Sequence, residues 1–279
     1  MDNTTVKANQ ATTWRTVAPG WMRHEERMRK YTAPLTQRMM SGIERGHKVL
    51  DIATGVGDPA ISIAEKVGPS GSVLATDLVA EMLAFAREKA ADRGVKNIEF
   101  HHVDGEELDP PASSFDAVTM RFGLMFMPDP EGCLKKARKA LKPGGSIALA
   151  TWAAPPRNPW AAVPMATLGR HVDVPKPPPG APGLFAFADS GRLESTIKSA
   201  GFSDVRVEEV EVTMSDFDKG ADFWTFMMDV AGPIAVLFST KVPPEKRAAV
   251  AAEIAREVEA AGGGKAHLKG VALFASGRA

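Results

Sequence analysis

Lys48-Val-Leu-Asp51-Ile-Ala53-Thr-Gly55-Val-Gly57-Asp58-Pro-Ala60 runs from a short apolar segment into a glycine-rich turn, and PAISIAEKVG (59–68) continues it with helical spacing. Glycine is needed in such a turn where a ligand approaches the backbone more closely than a Cβ allows. The same alternation repeats outward. SVLATD (72–77) reads as a strand, and AEMLAFAREKAADRG (80–94) as a helix closed by Gly94. NIEFHHVD (97–104) and FDAVTMRF (115–122) are further strands. EGCLKKARKALKPGG (131–145) is a helix stopped by Pro143 and two glycines, and SIALATW (146–152) is a fifth strand. Strands alternating with helices require βαβ crossovers, so the reading is α/β: a doubly wound, Rossmann-like parallel sheet with helices on both faces.

The regularity stops after Trp152. Residues 153–190 hold nine prolines and no clear period, and read as a loop or lid. A helix (191–201), a strand (204–214), a helical region (216–264) and a last strand, KGVALFASGRA (269–279), follow. Residues 1–47 read as helix and loop and carry Trp14, Trp21 and Tyr31. The expected organisation is an N-terminal helical cap arm (1–47) and one ligand-binding domain (48–279) with lid insertions at 153–190 and 216–264.

Composition narrows the class. The 279 residues are 44% hydrophobic and 24% charged, close to the globular average, so wholesale disorder is excluded. A chain of this length buries roughly three quarters of its unfolded surface and needs no staple. Thirty-four Lys+Arg balance 34 Asp+Glu, which argues against a general nucleic-acid binder, because counterion release needs a basic surface. Cys133 is the only cysteine, so no intrachain disulfide or Cys-based zinc site forms, and the six histidines lack metal-ligand spacing. The opening residues are polar and no run of 18 apolar residues occurs. The expectation is a cytoplasmic protein with no metal and no integral membrane segment.

Gly55-Val-Gly57-Asp-Pro-Ala60 also fits the dinucleotide fingerprint, and Asp77 lies 20 residues past Gly57, where a ribose-binding acid would sit. Charge separates two ligands. A pyrophosphate would rest on the helix N-terminus, where Asp58 opposes an anion. S-adenosylmethionine (SAM) has no phosphate and carries a sulfonium and an ammonium, and Asp51 and Asp58 suit a cation.

VLDIATGVGD (49–58), ATDLVAEML (75–83), HHVDGEEL (101–108), SFDAVTMRFGLMFMPD (114–129) and ALKPGGSIAL (140–149) stand in one order. Together they resemble the class I SAM-dependent methyltransferases, most of all the UbiE/COQ5 (methyltransferase type 11) group. The resemblance covers residues 48–152, and 189–279 only as a pattern. Two departures stand out: Ala53 replaces the first glycine of many members, and MFMPD stands where that branch has Arg-Asn after FGL.

The resemblance implies a seven-stranded sheet with the last strand antiparallel, and SAM as cofactor. Asp51, Ala53, Gly55 and Gly57 would form the floor under its methionine part. Asp77 would accept from both ribose hydroxyls, a task suited to a carboxylate, while also being free to cap the next helix. Leu78 and Met82 would pack on the adenine, although methionine fills ordinary core gaps equally well. Asp104, with Gly105 and Glu106, would accept from the adenine amine, the alternative being a solvated turn. Arg121 and Phe122 end a strand over the sulfonium, where Arg121 meets either a substrate carboxylate or an acid such as Asp104 or Asp129. His171, in the proline-rich insert, is the other catalytic candidate, and simple exposure is its competing reading.

Trp21, Tyr31, Trp160, Phe223 and Trp224 are expected to line a substrate lid, with ordinary core as the alternative for such a stripe. The functional reading is methyl transfer to a small or medium, hydrophobic or aromatic acceptor, quinone-like or a secondary metabolite. A homodimer is compatible with it. The competing readings are an NAD(P)-dependent oxidoreductase, a methyltransferase acting on a macromolecule, and a non-catalytic partner protein keeping only the sheet.

Overall fold

The computed structural model describes residues 2–174, 178 and 180–279. Three helices open the chain: α1 (Asn3–Arg23), α2 (Glu25–Tyr31) and α3 (Ala33–Met39). Asp2 caps α1 by accepting from the Thr5 amide, which satisfies one of the orphan donors of a helix start. There follow β1 (Lys48–Ile52), α4 (Ala60–Val67), β2 (Ser72–Asp77), α5 (Ala80–Asp92), β3 (Ile98–His102), β4 (Phe115–Arg121), α6 (Pro130–Ala140) and β5 (Leu141–Trp152). The second half holds α7 (Pro159–Leu168), α8 (Ser190–Ser199), β6 (Ser203–Phe217), α9 (Gly220–Val230), α10 (Gly232–Lys241), α11 (Pro244–Ala261) and β7 (Ala266–Arg278).

The seven strands form one sheet in the order β3-β2-β1-β4-β5-β7-β6. β1 to β5 are parallel, and β7 inserts antiparallel between β5 and β6. The doubly wound sheet with a reversed last strand is therefore as the motifs implied. Val49, Leu50, Asp51 and Ile52 are all buried, because helices cover both faces of a parallel sheet. The chain reverses strand order between β1 and β4, and at such a switch point the loops leaving the strand ends open a crevice.

The proline-rich insert is a correction to the loop reading. Within the described residues it contains α7, with Pro159 in the first turn, where the missing amide proton costs nothing. Asn158 anchors it to β7. Its Nδ2 donates to the carbonyls of Ala153 and Val271, and its Oδ1 accepts from the Val271 amide and the Trp160 indole. Residues 175–177 and 179, part of the expected lid, lie outside the described residues. Between β6 and β7, α9 and α10 meet at a bend of 100° at Ala231. α1 lies across this bend so closely that a methyl group on Gly20 would overlap the Asp229 backbone.

Candidate functional site

A cavity of about 220 Å³ opens at the carboxyl ends of the strands. Its floor comes from the loops after β1 (Ala53, Thr54, Gly55, Val56, Asp58), β2 (Asp77, Leu78, Val79) and β3 (Asp104, Gly105, Glu106), with Arg121 and Phe122 from β4. Its roof comes from α1, through Lys7, Gln10, Trp14 and Trp21, and from Trp160, Phe226, Met227 and Ile234.

One end is acidic. Asp77 Oδ2 accepts from the Gly55 amide at 2.7 Å and Oδ1 from the Val79 amide at 2.9 Å. Burial pushes its carboxyl up from the usual range, against those two amides. Each oxygen keeps a second lone pair, so the carboxylate both ties the glycine turn to β2 and stays able to accept from a ligand. Asp104 Oδ1 accepts from the Glu106 amide at 2.8 Å. Across both acids stands Lys7, with Nζ 2.8 Å from Asp104 Oδ2 and 2.8 Å from Glu106 Oε2. Burial opposes the charge on Lys7, but the two carboxylates outweigh it and hold its pKa above the ordinary value.

The other end is aromatic. Phe122, in the left-handed region at φ 61°, stacks on Trp152 with ring centroids 4.1 Å apart and planes 10° apart. Trp160 meets Trp152 edge-on at 4.9 Å, and Trp14 meets Phe126 edge-on at 5.0 Å. Ala53, at φ 57°, keeps the left-handed backbone that a glycine would adopt there.

Several residues sit elsewhere than expected. Asp51 lies behind the floor, fully buried, its Oδ1 accepting from the Thr119 hydroxyl. Burial pushes its pKa up to about 6, against the pull of Thr119 and Arg121. Gly57 does not reach the cavity; at φ 94° it packs where a Cβ would press on Ile61 and Ala86. Asp58 does not offer a free negative charge, because its Oδ2 lies 2.6 Å from Arg121 Nη1. Paired in this way, Asp58 does not set a free negative charge against a phosphate at this turn. Asp58 is also the partner of Arg121 in place of Asp104 or Asp129. Nη1 of Arg121 further donates to Thr32 and Thr36, and Nη2 to the Asp58 carbonyl.

His171 is away from the cavity, paired with Glu253 of α11 at 2.7 Å, which removes it as a catalytic candidate. Tyr31 is buried and bonded to Arg27 and Asp216 instead of facing the cavity. Phe223 and Trp224 point into the core between helices. Phe226 and Met227, most of a turn further along α9, face the cavity instead. Trp21 and Trp160 do line it, Trp21 with its indole donating to the Val230 carbonyl. Trp14, expected with Trp21 in the N-terminal cap arm, lines the cavity too, whereas Lys7, Gln10 and Thr54 have no counterpart in the sequence pattern. Lys7 lies 97 positions before Asp104, and only docking of α1 brings them together.

These groups fit SAM. Thr54, in the wall, stands beside the buried Asp51 carboxylate and helps hold down its pKa, but neither Thr54 Oγ1 nor Asp51 Oδ2 has a well-formed hydrogen bond among the described residues. Carboxylates suited to hydroxyl and amine donors lie at one end, and apolar rings at the other. Among the described residues no group of three or more His, Cys, Asp or Glu could hold a metal ion. Among the described residues no single helix is long and apolar enough to cross a membrane.

Strand order, reversed last strand and a cavity at the switch point define the fold of the class I SAM-dependent methyltransferases. Within it, residues 26–162 match the model of the ubiE/COQ5 methyltransferase family, and the resemblance carried by the five motifs is borne out. The ubiquinone/menaquinone biosynthesis C-methyltransferase UbiE of Cellvibrio japonicus is 40% identical over 116 residues, 41% of this chain and 47% of that protein. The chain thus spans about half the length of the curated relatives it matches. Among solved structures, the YcgJ protein of Bacillus subtilis superposes with a TM-score of 0.56 at 18% identity, covering 88% of this chain and 97% of that one. Phosphoethanolamine N-methyltransferase 2 of Haemonchus contortus, in complex with phosphomonomethylethanolamine and S-adenosylhomocysteine, gives a TM-score of 0.53 at 18% identity, covering 88% and 52%. At these identities the likeness is one of fold.

Proposed function

We propose that the protein is a SAM-dependent methyltransferase whose acceptor is a small or medium apolar molecule with a flat, aromatic or quinone-like body. The observation that carries this reading is the continuity of the cavity, from the acids at the ends of β2 and β3 to the stacked rings of Phe122 and Trp152. When bound, SAM supplies a methyl group on a sulfonium leaving group. Asp77 would accept from the ribose hydroxyls and Asp104 from the adenine amine. Lys7 keeps the two carboxylates at the end of β3 from repelling one another. Trp14, Trp21 and Trp160 exclude water. Alignment of acceptor and methyl group can contribute on the order of 7–11 kcal/mol, so the aromatic half needs no histidine or lysine base. Met125 and Phe126, in the wall where the UbiE branch carries Arg-Asn, make this half more apolar than the family pattern implies.

The arm 1–47 and the inserts 153–190 and 216–264 act in this reading as one cap over the cavity. Calorimetric titration tests the cofactor: S-adenosylhomocysteine is expected to bind, and NAD not. Binding of NAD in its place would overturn the assignment. Conversion of SAM to S-adenosylhomocysteine across a panel of phenols, quinols and thiols, with product mass spectrometry, tests the acceptor.

A further inference from the structure

The charged side chains on the cavity wall fall into two groups. Asp77, Asp104, Glu106 and Lys7 stand at the ends of β2 and β3, and the remaining wall holds one charged pair, Asp58 and Arg121. Both are nearly sealed from solvent, with side chains 5% and 8% exposed. We propose that Arg121 is the specificity-determining residue of the acceptor half, and that it selects an uncharged acceptor bearing a hydrogen-bond-accepting oxygen. The proposal rests on the methyltransferase reading above and names its substrate class.

With Asp58 Oδ2 2.6 Å from Nη1, the positive charge of Arg121 is already matched inside the wall. A carboxylate acceptor would share Arg121 with Asp58 in an apolar surrounding, losing its water and facing a like charge. An ammonium would meet Asp58 only by displacing Arg121. A neutral oxygen needs nothing more than an N–H. The guanidinium has five, in a rigid fork. The two N–H groups of Nη1 donate to Thr32 and Thr36, with Asp58 Oδ2 beside that nitrogen as its ion-pair partner, and Nη2 donates to the Asp58 carbonyl. The Nε–H and the second Nη2–H donate to none of the described residues, and Arg121 lies in the cavity wall. Thr32 and Thr36 hold the fork from the N-terminal arm, so it is oriented before a ligand arrives.

Three naphthalenes of one shape test this on the protein loaded with S-adenosylhomocysteine: 2-acetylnaphthalene, 2-naphthoate and 2-ethylnaphthalene, titrated calorimetrically. The ketone is expected to bind about tenfold more tightly than the carboxylate and several-fold more tightly than the hydrocarbon. Asp58→Asn leaves Arg121 unmatched and should raise naphthoate affinity relative to the ketone by about tenfold. Arg121→Met should abolish the preference for ketone over hydrocarbon. Naphthoate binding the unaltered protein as tightly as the ketone overturns the proposal, and needs no variant to fold. An unchanged ratio in Asp58→Asn overturns it as well. If S-adenosylhomocysteine binds but the three probes bind alike, this proposal fails and the methyltransferase reading stands. If S-adenosylhomocysteine does not bind, both fail.

Discussion

Replacing Asp51 by asparagine should make the protein more stable at neutral and alkaline pH, and the gain should vanish in acid. Asp51 is fully buried, with one oxygen taking the Thr119 hydroxyl and the other lacking a partner among the described residues. Burial raises its carboxyl from 3.8 to about 6. An acid whose folded pKa lies above its unfolded value binds protons more tightly in the folded state. Stability is therefore greatest below about 4 and falls as pH rises to about 6, after which the full penalty is present. The gap between the two values corresponds to about 3 kcal/mol. Because some of the penalty is already present at pH 4.5, about 2 kcal/mol should develop between pH 4.5 and 8.

The Asp51→Asn variant carries no such penalty and keeps an oxygen for Thr119. The stability difference between variant and parent should thus grow by about 2 kcal/mol over that range, or several degrees in Tm. The measurement is urea unfolding of both proteins at each pH, compared as a difference so that other titrating groups cancel. A difference that stays flat with pH, or shrinks as pH rises, would refute the account of Asp51 as a destabilised buried carboxylate. Weaker binding of S-adenosylhomocysteine by the more stable variant would show that the charge is retained for function.

Three further outcomes are expected. Asp77→Ala removes a carboxylate bonded to two amides and should weaken S-adenosylhomocysteine binding by roughly 1.5–3 kcal/mol in calorimetry, hydrogen bonds to a charged group being the strong kind; unchanged affinity sinks that placement. Lys7→Met should speed amide exchange across α1 and loosen S-adenosylhomocysteine severalfold, because Asp104 and Glu106 then face each other without a cation; an unaltered exchange pattern in residues 3–23 would count against α1 as a pinned roof. Cys133 is fully buried, and burial, with the carboxylates of Glu106, Asp104 and Asp129 nearby, pushes its thiol well above the usual range. It should resist a thiol reagent in the native protein and react once urea unfolds the chain.

The frame of the fold follows from local patterns in the amino-acid sequence. Five strands, joined by three helices and one long loop, dictate parallel pairing, since a crossover of a dozen or more residues returns the chain in the same direction. All the loops that leave the strand ends then meet at one edge, so Ala53, Gly55, Asp77, Leu78, Asp104, Gly105, Arg121 and Phe122 were readable as neighbours without any contact being known. Their partners were not readable. Lys7 against Asp104, Asp58 against Arg121 and His171 against Glu253 join residues 97, 63 and 82 positions apart. Nothing in a local pattern says which acid a distant base will meet once helices dock. The apolar stripe of α9 was equally ambiguous. Periodicity shows that Phe223, Trp224, Phe226 and Met227 are buried, but whether a ring faces the core or the cavity depends on how far the helix is rotated against α1 and α11. That rotation is set by the contact of Gly20 with the Asp229 backbone and of Gly220 with the Ala255 backbone, where only a missing Cβ lets the chains approach. Strand order is a local property repeated along the chain, whereas the lining of the cavity is a property of packing, and only the tertiary structure decides it.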